Sequence, residues 1–177
     1  MNLLETIRTV PDYPKPGILF YDISTLLANP PAWHYCVTQI CDKIRPLSPD
    51  LLVGIESRGF LLAAPLAFEL GLGFAMARKQ GKLPGNVVQL EYTLEYGRDC
   101  LEIQAEALAM DARIVVLDDL LATGGTMRAA CDLVRKVGAN PVMAACIMEL
   151  SGLGGRERLD VPFFSQILCP AASAEAQ

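Results

Sequence analysis

Residues 114–126 of the chain read IVVLDDLLATGGT, and this stretch is the clearest signal of the fold. A strand is predicted over 113–117, because its apolar run lacks the polar alternation of a half-exposed strand. We expect this strand to end at Asp118 and Asp119. From Gly124 to residue 137 apolar side chains recur at helical spacing, and Gly138 is a typical helix stop. The stretch therefore predicts a buried strand, a loop of small residues and a helix in direct succession.

Strands and helices alternate along the rest of the chain. Apolar runs predict buried strands at 51–55, 74–77 and 142–148, and helical periodicity predicts helices at 33–44 and 59–70. Between residues 78 and 110, glycines and prolines separate two strand-like runs, which indicates an antiparallel excursion or a mobile flap. The whole pattern predicts an α/β fold with a central, mostly parallel sheet and helices on both faces. Ligands of such sheets bind at the carboxyl ends of the strands.

Composition limits the classes of function. The 177 residues suit a single domain, and 52% hydrophobic with 20% charged residues excludes a disordered chain. A net charge of −5 argues against a nucleic-acid partner, and no apolar stretch or leader predicts a membrane partner. The 6 cysteines form no CxxC pair and the chain has 1 histidine, so we expect no zinc site and a reducing, cytoplasmic location.

The loop after the predicted strand has the features of a phosphate site. Gly124 and Gly125 lack the Cβ atoms that would block a close approach of the backbone. The N–H groups from Ala122 to Thr126 can then converge on phosphate oxygens, with help from the helix dipole and the hydroxyl of Thr123. The loop lacks both the lysine of a nucleoside-triphosphate loop and the GxGxxG pattern of dinucleotide sites.

The two adjacent carboxylates before this loop limit the kinds of ligand that the site could bind. Asp118 and Asp119 would repel a phosphate unless ribose hydroxyls or a bridging Mg²⁺ lay between them. The combination therefore favours a phosphorylated sugar. The alternative is that the aspartates only end a strand and that the threonines and glycines form an ordinary helix N-cap.

Several segments together carry a family resemblance. VLDDLLATGGT at 116–126 resembles the phosphoribosyl pyrophosphate motif of the type I phosphoribosyltransferases. Four further segments resemble the branch of that family that uses adenine, and the match spans nearly the whole chain. They are PKPGILF at 14–20, ESRGF at 56–60, RKQGKLP at 78–84 and LEYG at 94–97.

The resemblance implies a reaction and an organisation. The reaction is transfer of 5-phosphoribose from 5-phosphoribosyl 1-pyrophosphate to N9 of adenine, which gives AMP and pyrophosphate. Mg²⁺ would be required and held mainly by the substrate, with no direct protein ligand. The chain would be one domain over 1–177, with a base-binding hood at 1–32 and a flap at 78–110. It would act as a homodimer, because a basic residue in the 78–82 segment can reach the partner's site in this family.

The resemblance also assigns roles to residues. Asp118 and Asp119 would contact the ribose hydroxyls, and they count among the catalytic residues. The residues that would bind the 5′-phosphate are Ala122, Thr123, Gly124, Gly125 and Thr126. Those that would bind pyrophosphate are Glu56, Ser57, Arg58, Arg78, Lys79 and Lys82.

The remaining roles concern the base. Phe20 would stack on adenine, the backbone near Leu19 would read its amino edge, and Arg58 would lie close by. Glu95 would serve as the acid/base group, with Tyr96 beside it in the flap. Tyr21 departs from the family pattern, since some members carry arginine there.

Alternatives exist for several of these residues. The basic cluster Arg78, Lys79 and Lys82 could be a solvated edge, and Leu19 could be a core residue. Glu95 could sit on a plain hairpin tip, and Glu102 is a second carboxylate nearby. At the level of function, the alternatives are a phosphoribosyltransferase for xanthine or orotate and a non-catalytic regulator that keeps the sugar-phosphate pocket as a sensor.

Overall fold

A computed structural model describes residues 1–94 and 97–170 of the chain. The strands in these ranges are β1 (Arg8–Pro11), β2 (Leu19–Asp22), β3 (Leu51–Ile55), β4 (Gly73–Lys79), β5 (Val87–Leu94), β6 (Gly97–Gln104), β7 (Arg113–Leu121), β8 (Asn140–Ser151) and β9 (Phe163–Pro170). The helices are α1 (Ser24–Leu27), α2 (Pro30–Ile44), α3 (Gly59–Leu70) and α4 (Gly125–Val137). Short 3-10 turns lie at Leu3–Thr6, Arg45–Leu47 and Arg156–Arg158.

The main sheet has seven strands in the order β5-β6-β4-β3-β7-β8-β9. Strands β4, β3, β7, β8 and β9 run parallel, and the β5–β6 hairpin adds to the β4 edge in antiparallel orientation. Strands β1 and β2 form a separate antiparallel ribbon. The predicted mostly parallel sheet is confirmed, and so is the antiparallel character of the segment after β4.

Helices cover both faces of the sheet, as the sequence predicts. On one face, α2 and α3 pack against alternate residues of the central strands, such as Leu52 and Leu117. On the other face, α4 packs against the intervening residues, such as Val53 and Val116. Because strand β7 is buried on both faces, its apolar run needs no polar alternation.

Strand β7 is longer than predicted. It continues beyond Asp118 and Asp119 to Leu121, because β8 runs alongside it and pairs Leu120 with Met148 and Leu121 with Glu149. The expectation that the aspartates end the strand is therefore wrong. Both lie inside the strand, at the carboxyl end of the sheet, where backbone pairing fixes their directions.

The N-terminal ribbon is tied to the last strand of the sheet. The buried Tyr21 donates its hydroxyl proton to the carbonyl oxygen of Pro170 at 2.9 Å. Burial raises the pKa of this hydroxyl, and the nearby Cys169 adds to the effect. Tyr21 is thus a core residue that anchors the ribbon.

In the described ranges, none of the helices combines the length and the apolarity that crossing a bilayer requires.

Candidate active site

The loop between β7 and α4 forms a cradle at the carboxyl end of the sheet. Gly124 has a φ of +81°, a left-handed conformation that favours glycine, and α4 starts at Gly125. The first N–H groups of a helix have no partner within the helix, and they carry the positive end of its dipole. A cavity lies above them, lined by Asp118 and residues 120–127. This geometry suits an anion such as a phosphate group.

A second loop supports the cradle from behind. A Cβ atom on Gly155 would overlap the carbonyl oxygen of Ala122, and one on Gly124 would overlap the carbonyl oxygen of Gly155. The two backbones therefore touch without any side chain between them. Sequence reasoning missed Gly155, because the contact joins segments that are distant in the chain. The only local sign of this contact in the sequence is the pair of glycines at 154–155, which allows a close approach of two backbones.

An ion pair holds this supporting loop in place. Arg156 donates from Nε to Oε1 of Glu149 at 3.0 Å and from its terminal nitrogen to Oε2 at 2.5 Å. The guanidinium also lies 4.8 Å from the ring centroid of Phe163. Hydrogen bonding by Arg156 lowers the pKa of Glu149 against the opposing effect of burial. The Gly155 backbone is thus fixed by a charged, bidentate contact to β8.

Asp118 and Asp119 lie directly before the cradle. Asp118 Oδ1 accepts a hydrogen bond from the backbone N–H of Asp119 at 2.9 Å, and Asp119 is only 4% exposed. Burial raises the pKa of Asp118 well above its usual range, and the charge of Asp119 raises it further. Burial also raises the pKa of Asp119, with Arg58 opposing the effect. A ligand that brings hydroxyl donors or a cation would stabilise the ionised pair.

One oxygen of this pair has no aligned partner among the described residues. Arg58 Nε lies 3.0 Å from Asp119 Oδ2, within ion-pair distance. This buried oxygen nevertheless accepts no hydrogen bond of good geometry in the described part of the chain. Buried carboxylate oxygens normally have hydrogen-bond donors. The orphaned oxygen is therefore suited to a donor that arrives with a ligand.

The turn from β3 to α3 lies beside the acid pair. A Cβ atom on Gly59 would come within 2.7 Å of the carbonyl oxygen of Leu117, so only glycine allows this approach of α3 to β7. The peptide bond between Glu56 and Ser57 is cis. The close approach places Arg58 between Asp119 and the ring of Phe20, whose centroid lies 5.7 Å from the guanidinium carbon.

The aromatic side of the site comes from the N-terminal segment. The ring of Phe20 meets that of Tyr13 edge to face, with centroids 5.1 Å apart. Leu19 points the other way, and its side chain packs against the core cluster on the α2 and α3 face. The structure thus brings Phe20 and Arg58 together, whereas the side chain of Leu19 points into the core on the opposite side of the strand.

Glu56 gathers the basic residues of the next strand. Its Oε1 accepts from Arg78 at 3.0 Å and from Lys82 at 2.9 Å, and its Oε2 accepts from the backbone N–H of Lys79 at 2.9 Å. Burial opposes the charge of Glu56, but these hydrogen bonds outweigh it and lower the pKa to about 2. Two cationic side chains around one carboxylate leave a local excess of positive charge.

Lys79 is separated from these two cations. Neighbouring side chains on a strand point to opposite faces, and the ammonium of Lys79 pairs with Asp99 and donates to the hydroxyl of Tyr92 at 3.1 Å. Burial lowers its pKa, but Asp99 and Tyr92 reverse the effect and the net shift is upward. Arg78 and Lys82 therefore lie around Glu56, whereas Lys79 lies apart from them beside Asp99 and Tyr92.

Of the two carboxylates considered near the hairpin, one has a structural role. Glu102 is 2% exposed and accepts from the backbone N–H of Gly81 and from the side chain of Gln89, each at 2.9 Å. These contacts hold the β4–β5 connection. Glu95 and Tyr96 lie outside the described residues.

The described side chains offer no cage for a metal. Across residues 1–94 and 97–170, no group of three or more histidine, cysteine, aspartate or glutamate side chains is arranged to hold a metal ion. The adjacent pair Asp118 and Asp119 is too small a donor set for a protein-held Mg²⁺. It fits a metal ion that arrives bound to a diphosphate and is held mainly by it.

Comparisons with known proteins place the chain in a family. The family model described as the phosphoribosyl transferase domain matches residues 25–166. The adenine phosphoribosyltransferase of Rhodospirillum centenum is 64% identical over 162 residues, which are 92% of this chain and 95% of the relative. The crystal structure of adenine phosphoribosyltransferase from Thermoanaerobacter pseudethanolicus matches with a TM-score of 0.90 at 42% identity and covers 93% of this chain and 96% of that one. The Saccharomyces cerevisiae enzyme, complexed with D-2,5-dideoxy-2,5-imino-altritol 1,6-bisphosphate and adenine, matches with a TM-score of 0.89 at 37% identity, with the same two coverages of 93% and 96%.

Gly155→Ala is expected to disturb the cradle without unfolding the chain. Gly155 has an ordinary helical φ of −64°, so alanine is allowed at its own backbone conformation and acts by pushing on Ala122 and on the Leu121 side chain. We expect binding of ribose 5-phosphate, measured by calorimetry, to weaken about tenfold or more, since loss of an aligned charge-assisted contact costs roughly 1.5–3 kcal/mol. The control is Gly73→Ala, whose new Cβ meets only the end of the Leu51 side chain. Equal affinities for the two variants would contradict the supporting role of Gly155.

Glu56→Gln is expected to flatten the acid side of the stability curve. In the folded chain the pKa of the Glu56 carboxyl is lowered to about 2. Its ionised form therefore stabilises the fold at any pH above the pKa that it has in the unfolded chain, and this contribution is lost as the pH falls toward the folded pKa. The partners are partly exposed and screened, so we expect wild type to lose about 1 kcal/mol more than the variant between about pH 5 and 3. Urea unfolding at the two pH values measures this difference. Glu106→Gln, at an exposed carboxyl, is the control, and parallel curves for all three proteins would be evidence against the ion cluster.

Proposed function

The chain belongs to the phosphoribosyl transferase family and, within it, to the adenine phosphoribosyltransferases, and from this premise we propose how its residues share the reaction. The enzyme transfers 5-phosphoribose from 5-phosphoribosyl 1-pyrophosphate to adenine and releases AMP and pyrophosphate in purine salvage. The observation that carries the assignment of roles is the succession of an acid pair on β7 and a glycine cradle at the start of α4. The substrate likewise places sugar hydroxyls next to a terminal phosphate.

In this proposal the cradle binds the 5′-phosphate and the acid pair binds the ribose. The backbone N–H groups from Ala122 to Thr126 donate to the phosphate oxygens, and the hydroxyls of Thr123 and Thr126 add further donors. Asp118 and Asp119 accept from the 2′ and 3′ hydroxyls, which satisfies the orphaned oxygen of Asp119. The sugar is thereby fixed at both ends while C1′ stays free to react.

The pyrophosphate is proposed to lie over the turn after β3. Ser57 and Arg58 would donate to it from the turn, and Glu56 would hold Arg78 and Lys82 in position to balance its charge. Lys79 would contribute through the field of its ammonium, since its side chain is engaged on the opposite face. When bound with the substrate, Mg²⁺ supplies neutralisation of the diphosphate and makes it a better leaving group.

The base is proposed to enter between the N-terminal ribbon and the turn after β3. Phe20 would stack on adenine, Arg58 would border it, and the backbone at Leu19 would read its amino edge. Residues 1–32 would then serve as the hood and residues 78–110 as the flap. Glu95 would exchange a proton with the imidazole ring of the base while Tyr96 helps to exclude water.

A homodimer is proposed from an apolar surface next to the site. Leu61 and Phe68 lie on one side of α3, and Phe68 is 85% exposed. Phe74 and Met76 of β4 are exposed on the same face of the sheet, since Phe74 pairs with Leu52, a residue of the core beneath α3. An exposed apolar surface of this kind marks an interaction site, and a second copy of the chain is the simplest partner.

The proposed location is the cytoplasm, with small molecules as the other partners. The thiols of Cys36, Cys41, Cys100, Cys131, Cys146 and Cys169 are all free and buried. Such thiols persist in a reducing compartment. The net charge of −5 gives the enzyme no broad attraction to nucleic acid.

The joint variant Asp118→Asn/Asp119→Asn tests the proposed division of roles. Asparagine keeps the size of each side chain but removes the negative charge next to the sugar. It also replaces one acceptor oxygen of each carboxylate with an NH₂ group, which can only donate. We expect kcat/KM for AMP formation from adenine, phosphoribosyl pyrophosphate and Mg²⁺ to fall at least about 100-fold, in line with loss of groups that act in the transition state. The base preference of wild type is measured with four alternative bases, which are hypoxanthine, guanine, xanthine and orotate. A sample with EDTA tests whether the reaction requires Mg²⁺. A near-normal rate in the folded variant would remove the acid pair from the reaction.

Phe68→Glu tests the proposed dimer. A carboxylate on the α3 surface would have to be desolvated in an apolar interface, which is costly. We expect this variant to sediment as a monomer at concentrations where wild type is a dimer. Met110→Glu, at another exposed apolar residue, is the matched control and should leave the mass unchanged. A monomeric wild type, or a Phe68→Glu variant that remains dimeric, would assign this surface another role.

A further inference from the structure

Tyr92 lies where three parts of the molecule meet. Its hydroxyl, on β5, accepts from Lys79 of β4 at 3.1 Å and lies 3.2 Å from Asp99 Oδ2 on β6. The same hydroxyl lies 3.5 Å from the hydroxyl of Thr126 in the first turn of α4. The ammonium of Lys79 also lies 5.6 Å from the centroid of the Tyr92 ring. One phenol thus connects the β5–β6 hairpin, the basic strand β4 and the phosphate cradle.

The hairpin is held against α4 at a second point. Lys136, near the end of the helix, donates to the backbone carbonyl of Gln89 at 2.7 Å. The Tyr92 contact lies near the start of the helix, and the ring of Tyr92 packs against the core cluster on the α4 face. The base of the hairpin is therefore docked along α4, and its position is linked to that of the cradle.

The protons available to this group limit its hydrogen bonds. A tyrosine hydroxyl has one proton, and here Lys79, which can only donate, occupies one of its lone pairs. The proton of Tyr92 can go either to Asp99 or to Thr126. If it goes to Asp99, then Tyr92 can accept the proton of Thr126. If it goes to Thr126, the proton of Thr126 is free to point into the cradle.

We propose that Tyr92 is a positioning residue that sets the direction of the Thr126 hydroxyl and so couples the docked hairpin to binding of the 5′-phosphate. A phosphate in the cradle draws the proton of Thr126 to itself, and the proton of Tyr92 turns from Asp99 to Thr126. Asp99 keeps its ion pair with Lys79, so its charge is not left unpaired. The proposal rests on the phosphate role given above to Thr126.

Binding of ribose 5-phosphate, measured by calorimetry, is the test, because it needs neither pyrophosphate nor base. Tyr92→Phe keeps the packed ring and removes only the hydroxyl. We expect its Kd to rise about three- to tenfold, the usual effect of losing one neutral hydrogen bond. Tyr35→Phe, at a half-buried tyrosine on α2, is the control and should match wild type. In steady-state kinetics, KM for phosphoribosyl pyrophosphate should rise while KM for adenine stays constant.

The variant Thr126→Val completes a double-mutant cycle. Valine can neither donate nor accept, so Tyr92→Phe should have no further effect on Kd when combined with it. Independent, additive effects would overturn the proposed coupling. The coupling is also overturned if Tyr92→Phe binds like wild type while Thr126→Val binds weakly, and the phosphate role of Thr126 then stands. If Thr126→Val itself binds like wild type, that role fails, and the coupling fails with it.

Discussion

The site depends on how closely two backbone segments approach the carboxyl end of β7 and on the glycine turn that follows this strand. Gly59 lets the start of α3 touch the carbonyl of Leu117, and Gly155 lets a later loop touch the carbonyl of Ala122. Gly124 adopts the left-handed conformation that turns the chain into α4. A methyl group at any of these positions would have to displace backbone, which is far stiffer than a side chain. The glycines thus place the acid pair, the cradle and the turn after β3 within reach of one small ligand.

In the proposed mechanism, local positive charge offsets the repulsion between a negatively charged chain and a negatively charged substrate. The chain has a net charge of −5 and yet binds a substrate that carries several phosphates. Arg58 is held by Asp119, and Arg78 and Lys82 are held by Glu56. These carboxylates fix the cations at the carboxyl end of the sheet. If the cations bind the substrate as proposed, little side-chain ordering remains for the binding step. Because burial raises the pKa of both Asp118 and Asp119, the acid pair is also prepared to respond to hydroxyl donors or to a cation.

The sequence predicted the parts of the fold whose signals are local. The bounds of α3 and of β3 were predicted to the residue, since unbroken apolar runs end at turn residues there. The β1–β2 ribbon and β9 were not predicted, because their partly exposed residues show neither a long apolar run nor clear alternation. The extension of β7 could not be predicted either, since it depends on pairing with β8.

The candidate site shows the same limit: its cradle and acid pair are contiguous in sequence, whereas Gly155 meets Ala122 only after folding. Adjacency in sequence also misled in one respect, since Arg78 and Lys79 were grouped together although a strand sends their side chains to opposite faces.

The proposed mechanism depends above all on the first amides of α4 binding the terminal phosphate of the sugar. Titration of ¹⁵N-labelled enzyme with ribose 5-phosphate, followed through the amide resonances of residues 122–126, tests this contact most directly. We expect these resonances to shift downfield and to saturate together, as is typical of N–H groups that gain a charged acceptor. Saturable binding that leaves these amides unmoved and shifts resonances elsewhere would contradict the proposed phosphate site.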